Sequence, residues 1–148
     1  MRTIVAQVCV KKDDKYLMVQ ENKDGIKGKW NMPAGKLEDG ESIIDAAIRE
    51  TKEEANIDVN ITGLIGIQES ITSFGQLIIL YFSSEYVSGK IEYDEKEISM
   101  VKWMSEEEIM SLNKKQIRGG ETIEKVLTLS KEEAISLDRL MIENFLNN

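Results

Sequence analysis

The chain has 148 residues, enough for one domain with a hydrophobic core and too few for two of ordinary size. It carries no histidine and a single cysteine, Cys9, which excludes imidazole acid–base chemistry, a Ser-His-Asp triad, an internal disulfide and the usual N/S zinc site. The formal net charge of −8 argues against a general nucleic-acid binder, whose affinity comes from lysine and arginine on phosphates, and any metal must be held by oxygen ligands.

In chain order, Thr3 to Val10 and Tyr16 to Gln20 are β-rich runs joined by the polar stretch Lys11-Lys12-Asp13-Asp14-Lys15, a hairpin pattern. Cys9 falls in the apolar run from Ile4 to Val10, which predicts a buried, inert thiol. This run is too short for a signal peptide and is interrupted by Gln7. No later stretch is long enough to span a membrane, so a cytoplasmic location is expected. Glu21 to Lys29 reads as a polar loop with Gly25 and Gly28, followed by Trp30 to Glu38 with the only proline, Pro33. A helix is predicted from about Ser42 to Ala55. Strands follow at roughly Val59 to Ser70 and Gln76 to Tyr86, around a turn at Ser73-Phe74-Gly75, and again from Ile98 to Met104.

Ser105-Glu106-Glu107-Glu108 is a capping-box pattern and opens a short helix that ends near Leu112. Gly119-Gly120 breaks the chain before a helical segment that starts near Glu121. Ser130-Lys131-Glu132-Glu133 repeats the capping pattern and predicts a C-terminal helix over about 131–147. Its stripe of Ala134, Leu137, Met141 and Phe145 would pack on the domain body or, alternatively, join two copies as a homodimer. With no repeat or linker, residues 1–148 read as a single domain, and the element order predicts an α+β fold with a mixed β-sheet flanked by helices.

The helix from Ser42 to Ala55 carries the chemistry. At roughly 100° per residue, Ile44, Ala47, Ile48, Thr51 and Ala55 share an arc suited to packing on a sheet. Glu50, Glu53 and Glu54 share the neighbouring arc at i, i+3 and i+4. Like charges at these spacings cost ~0.2–0.5 kcal/mol per pair, and carboxylates in the last turns also oppose the helix dipole. A shared divalent cation reverses the sign of both effects. A solvated acidic face is the alternative for the helix taken alone.

The flanking residues decide between the two. From Gly35, five residues lead to Glu41 and seven more to Arg49-Glu50, then Thr51-Lys52-Glu53-Glu54-Ala55-Asn56-Ile57. This resembles the Nudix box, Gly-x5-Glu-x7-Arg-Glu-U-x-Glu-Glu-x-Gly-U with U apolar, over residues 35–57. Gly35, Glu41, Arg49, Glu50, Glu53, Glu54 and Ile57 match. Thr51 replaces an aliphatic residue, and Asn56 replaces the last glycine as the next most tolerant residue for a left-handed helix end. The resemblance runs from roughly Thr3 to Leu129 and includes Trp30-Asn31-Met32-Pro33-Ala34-Gly35-Lys36-Leu37-Glu38.

The resemblance implies a Nudix-type α/β/α sandwich and a Mg²⁺-dependent pyrophosphohydrolase, with Mn²⁺ able to substitute. Its substrate would be a nucleoside di- or triphosphate or a related small pyrophosphate, cut at a phosphoanhydride bond by water. Glu50, Glu53 and Glu54 would hold metal, with Glu97, ahead of Glu95, as the further carboxylate from a loop and an exposed loop glutamate as the alternative reading of Glu97. Glu53 and Glu97 are the candidates for general base. Arg49 is expected to orient a carboxylate such as Glu41 or Glu53. Gly35, a candidate substrate-binding residue, is expected to permit a close backbone approach or an unusual turn before the helix. Trp30 is a candidate for stacking on a substrate ring, or else a buried aromatic. Arg118 is a candidate contact to a terminal phosphate, or else a solvated arginine. Within the family, the Trp30–Glu38 and Trp103–Ile109 stretches most resemble the thiamine-pyrimidine pyrophosphate and nucleoside phosphate hydrolases. A non-catalytic nucleotide sensor on the same fold and an RNA 5′-end pyrophosphohydrolase are the alternatives. The acidic charge weighs against RNA, and neither DNA nor membrane is an expected partner.

Overall fold

The computed structural model describes residues 1–146. Strands β1 (Arg2–Lys12) and β2 (Lys15–Glu21) form the expected hairpin, turning at Asp13 with a φ of 53°. They pair only beside the turn, at Lys11↔Tyr16 and Lys12↔Lys15. Beyond it they part. The segment carrying β3 (Trp30–Asn31) and β4 (Ala34–Lys36) enters there, β3 pairing with β2 and β4 with β1. On its other side β1 runs parallel to β6 (Gly75–Ser88), which pairs antiparallel with β5 (Asp58–Thr72). On the far flank β2 pairs antiparallel with β7 (Ile98–Ser105). The result is one mixed seven-stranded sheet.

Two cores cover its two faces, because strand alternation sends successive side chains to opposite sides. Leu17 and Val19 of β2 join Val8, Phe82 and Val101 beneath α1 (Ile43–Ala55). Tyr16 and Met18 join Cys9, Met32 and Met104 beneath α2 (Glu106–Ser111) and α3 (Glu121–Ser130). This is the expected mixed sheet between helical layers.

Helix α1 begins and ends on its own residues. The Ser42 hydroxyl accepts from the Asp45 N–H at 3.1 Å, and Asn56 closes the helix at φ 62°, ψ 30°, donating its backbone N–H to Lys52 O. Its packing face is rotated from the expected one. Ala46, Ala47, Thr51 and Ala55 are buried, whereas Ile48 is 38 % exposed. Small side chains bring the helix axis close to the sheet, and the larger isoleucine is left at the margin. Thr51 keeps its place in this dry contact by donating its hydroxyl to Ala47 O at 2.9 Å.

The C-terminal helix expected over about 131–147 is absent across the described residues, and position 147 lies outside them. Ser130 is the last residue of α3 rather than the cap of a new helix, its hydroxyl donating to Leu127 O. The chain then turns at Lys131 and Glu132 and leaves the helix. Ile135 exchanges two backbone hydrogen bonds of 2.9 Å with Leu64 of β5, and a 3-10 turn follows at Leu137–Arg139. Pairing with a sheet edge replaces the helical bonds, and Met141 and Phe145 of the expected apolar stripe are exposed.

Candidate active site

Strand β4 crosses close to the C-terminal half of α1, and Gly35 makes the crossing feasible. A Cβ at position 35 would overlap the Glu50 carboxyl group. One residue earlier, the Ala34 N–H donates to Glu54 Oε1 at 2.8 Å. The backbone of β4 and two glutamates of the box therefore form one contact surface, as the expected close approach at Gly35 requires.

Arg49 is the centre of the exposed side of this cluster. Its guanidinium grips Glu41 through two bonds, of 2.9 Å from Nε and 2.7 Å from Nη2. Nη1 lies 2.7 Å from Glu50 Oε1 and 3.2 Å from Glu53 Oε2, and Nη2 also donates to Lys36 O. One planar fork thus sets three carboxylates and the end of β4. The Glu41 carboxyl is held below its ordinary range by the Arg49 hydrogen bonds, and the guanidinium is correspondingly harder to deprotonate.

Behind this ring the charges are buried. Burial pushes the Glu54 carboxyl up to about 8 despite the Ala34 N–H, and the charges of Glu21 and Glu50 push the same way. Glu50 is raised by burial as well, with Arg49 opposing. Lys23 offsets part of this charge. Its Nζ is 3.2 Å from Glu97 Oε2, and it lies within the electrostatic reach of Glu21, Glu50 and Glu54.

Glu50 and Glu54 are thus drawn inward while Glu53 stays on the exposed rim, its side chain 59 % accessible. Glu97 approaches the same centre through Lys23 and remains 60 % accessible. Trp30 is 8 % exposed and packs in the core beneath α3, which matches the buried-aromatic alternative rather than a free stacking surface. Arg118 is half exposed, its Nη1 3.8 Å from Glu21 Oε1, and its backbone N–H donates to Trp30 O. Cys9 is buried, with its thiol pushed up to about 12, as the apolar run around it predicts.

Glu21 has no counterpart among the expected residues. It reads in sequence as the first residue of a polar loop, yet it ends β2 inside the protein, its side chain 6 % accessible. The signal available was indirect: in the strand alternation Leu17, Val19, Glu21, the third member continues a buried face.

The donor set suits a hard divalent cation, since every candidate ligand is a carboxylate oxygen. Two further features fit: the charges of Glu21 and Glu50 help push the buried Glu54 carboxyl up, and Glu21 Oε2 is buried without a hydrogen-bond partner. Among the described residues, however, no three acidic side chains converge on one point in ligating geometry. Arg49 and Lys23 stand among them instead.

Fold, box geometry and sequence comparison agree on the class. A family model for the NUDIX domain matches residues 1–126, and the chain belongs to the Nudix family. It is similar to Nudix hydrolase 5 of Arabidopsis thaliana, 34% identical over 105 residues that cover 68% of this chain and 35% of the relative. It is also similar to the 8-oxo-dGDP phosphatase of Danio rerio, 40% identical over 77 residues, 52% of this chain and 24% of the relative. A solved NUDIX hydrolase from Nitrosomonas europaea superimposes with a TM-score of 0.85 at 28% identity, covering 97% of this chain and 98% of that one. The matched region spans about a quarter to a third of the length of the curated relatives.

Proposed function

We propose that this protein is a Mg²⁺-dependent pyrophosphohydrolase, with Mn²⁺ able to substitute, that cleaves a phosphoanhydride bond of a nucleoside di- or triphosphate or a related small pyrophosphate. The observation that carries the reading is the contact of β4 with α1, which seats the Glu50 carboxyl over Gly35 and ties the Glu54 carboxyl to the neighbouring Ala34 N–H. A protein needing only stability would not bury opposed carboxylates in this way.

Glu50, Glu53, Glu54 and Glu97 are the residues that would hold the metal. When bound, Mg²⁺ supplies charge neutralisation at the phosphates and lowers the pKa of an attacking water. The protein's own part is positional. Arg49 fixes Glu41, Glu50 and Glu53 in one plane of hydrogen bonds, and the Ala34 N–H fixes Glu54. Glu53 and Glu97 are exposed enough to accept a proton from water at the site, the role of general base. Arg118, half exposed and tied through its backbone to Trp30 of β3, is available to a terminal phosphate.

Two likenesses support this choice of substrates. The resemblance of Trp30–Glu38 favours thiamine-pyrimidine pyrophosphates and nucleoside phosphates, and the similarity to an 8-oxo-dGDP phosphatase adds nucleoside diphosphates. A panel of these compounds with Mg²⁺, both products identified, tests the reading. Release of phosphate or pyrophosphate from at least one is expected. Binding without turnover would indicate a nucleotide sensor, and activity confined to triphosphorylated RNA would indicate an RNA 5′-end hydrolase. A single buried cysteine suits a reducing cytoplasm.

A further inference from the structure

We propose that Glu21, outside the box and on a different element, is a further ligand of the divalent cation held by Glu50 and Glu54. The proposal rests on the metal-dependent reading above and adds a residue to it. Three observations carry it.

The first is burial without a partner. The Glu21 side chain is 6 % accessible, and Oε2 is fully buried with no hydrogen-bond donor. The nearest cationic atom to Oε1, Arg118 Nη1, is 3.8 Å away, beyond hydrogen-bond distance. A buried carboxylate normally spends its lone pairs on donors, and an orphaned oxygen calls for an absent cation or donor.

The second is direction. Glu21 follows Leu17 and Val19 along β2, and these two and its sheet partner, Ile98, all belong to the core beneath α1. Its charge acts directly on Glu54. The strand register breaks between Gln20 and Glu21, leaving Ser99 of β7 without a partner, and bulges of this kind re-aim side chains beside functional sites.

The third is that the fold does not need this carboxylate. The Glu21 backbone is already satisfied: its N–H donates to Lys29 O, and its carbonyl accepts from the Gly28 N–H and the Ser99 hydroxyl. A side chain kept only to close the strand would make one of those bonds itself. A buried carboxylate whose charge bears on a second one opposes folding unless a cation offsets them.

The test is Mn²⁺ binding by the full chain, followed by calorimetry and by loss of the free-ion paramagnetic resonance signal, without substrate. Wild type, Glu21→Gln, Glu54→Gln and Arg118→Gln are compared, with metal-free melting temperatures as the folding control. Glu21→Gln should keep or raise the metal-free melting temperature and weaken Mn²⁺ at least about tenfold. Arg118→Gln should bind like wild type. If Glu21→Gln melts low, Glu21→Met fills the same space without charge and should weaken Mn²⁺ equally. Wild-type affinity in both Glu21 variants, with Glu54→Gln impaired, would overturn the role of Glu21 and leave the metal site standing. Equal weakening in Glu21→Gln and Arg118→Gln would also overturn it, since Glu21 would then act through the arginine. No Mn²⁺ binding by wild type would overturn the metal-dependent reading itself.

Discussion

At the scale of single residues, the site is set by what presses on each carboxylate. Gly35 shows this most directly, because its missing Cβ is the space that the Glu50 carboxyl occupies. Its backbone does not lie in the left-handed region, so alanine fits the chain and the conflict falls on the flexible end of Glu50. Gly35→Ala should therefore fold with a near-wild-type melting temperature and lose about 10–100-fold in metal affinity or activity through a displaced carboxylate. Melts and turnover on the same sample check this, and an active Gly35→Ala enzyme would remove Glu50 from the site. Glu53→Gln separates stability from catalysis in a second way. Glu53 lies on the rim among like charges and 3.2 Å from Arg49 Nη1, an exposed pair of small worth, so its neutralisation should leave the metal-free melting temperature close to wild type. Turnover should fall by roughly 10²–10⁴-fold if Glu53 is the base. A near-wild-type kcat would take that role from it.

At the scale of elements, helix α1 was largely legible in the sequence because its signals are local. The Ser42 cap, the charged arc and the asparagine at the end each act within a turn of the helix, and all three stand where the pattern puts them. The structure adds that the Asn56 side chain donates to Lys90 O at 3.0 Å. Asn56→Gly keeps the backbone free but loses this bond, leaving it close to wild type. Asn56→Val places a β-branched residue at a φ of 62° and should destabilise by about 1–2 kcal/mol. A melt placing valine level with asparagine would contradict the cap. The buried glutamates give α1 an unusual pH response. Glu54 is pushed up to about 8 and Glu50 is raised, so between the ordinary carboxylate range and about pH 8 the folded state binds more protons than the unfolded one. Stability of the metal-free protein should then fall as pH rises through that window. Melting temperatures in chelator at pH 6 and pH 8.5 test this, and a higher value at pH 8.5 would contradict it.

Across the whole molecule, the residues hardest to foresee are those whose environment comes from distant chain. Ile135 meets Leu64 across 71 positions, and no local pattern distinguishes that edge pairing from the capping box at Ser130. Glu21 is buried where β2 pairs with β7, at Ile98, far along the chain. Ile48 is left exposed because small alanines settle the helix nearer the sheet. The box glutamates were visible because seven residues at fixed spacing lie within one strand–helix unit, whereas Trp30 and Arg118 depend on how the β2–β3 region packs. The fold brings α1, the crossing strand β4 and, through Lys23, the loop carboxylate of Glu97 around buried negative charge. The most direct test is the rate of phosphate release from the best substrate, measured in Mg²⁺, in excess chelator, and after Mg²⁺ is restored. Turnover in Mg²⁺, its loss in chelator and its full return are the predicted results. Undiminished turnover in excess chelator would contradict the account.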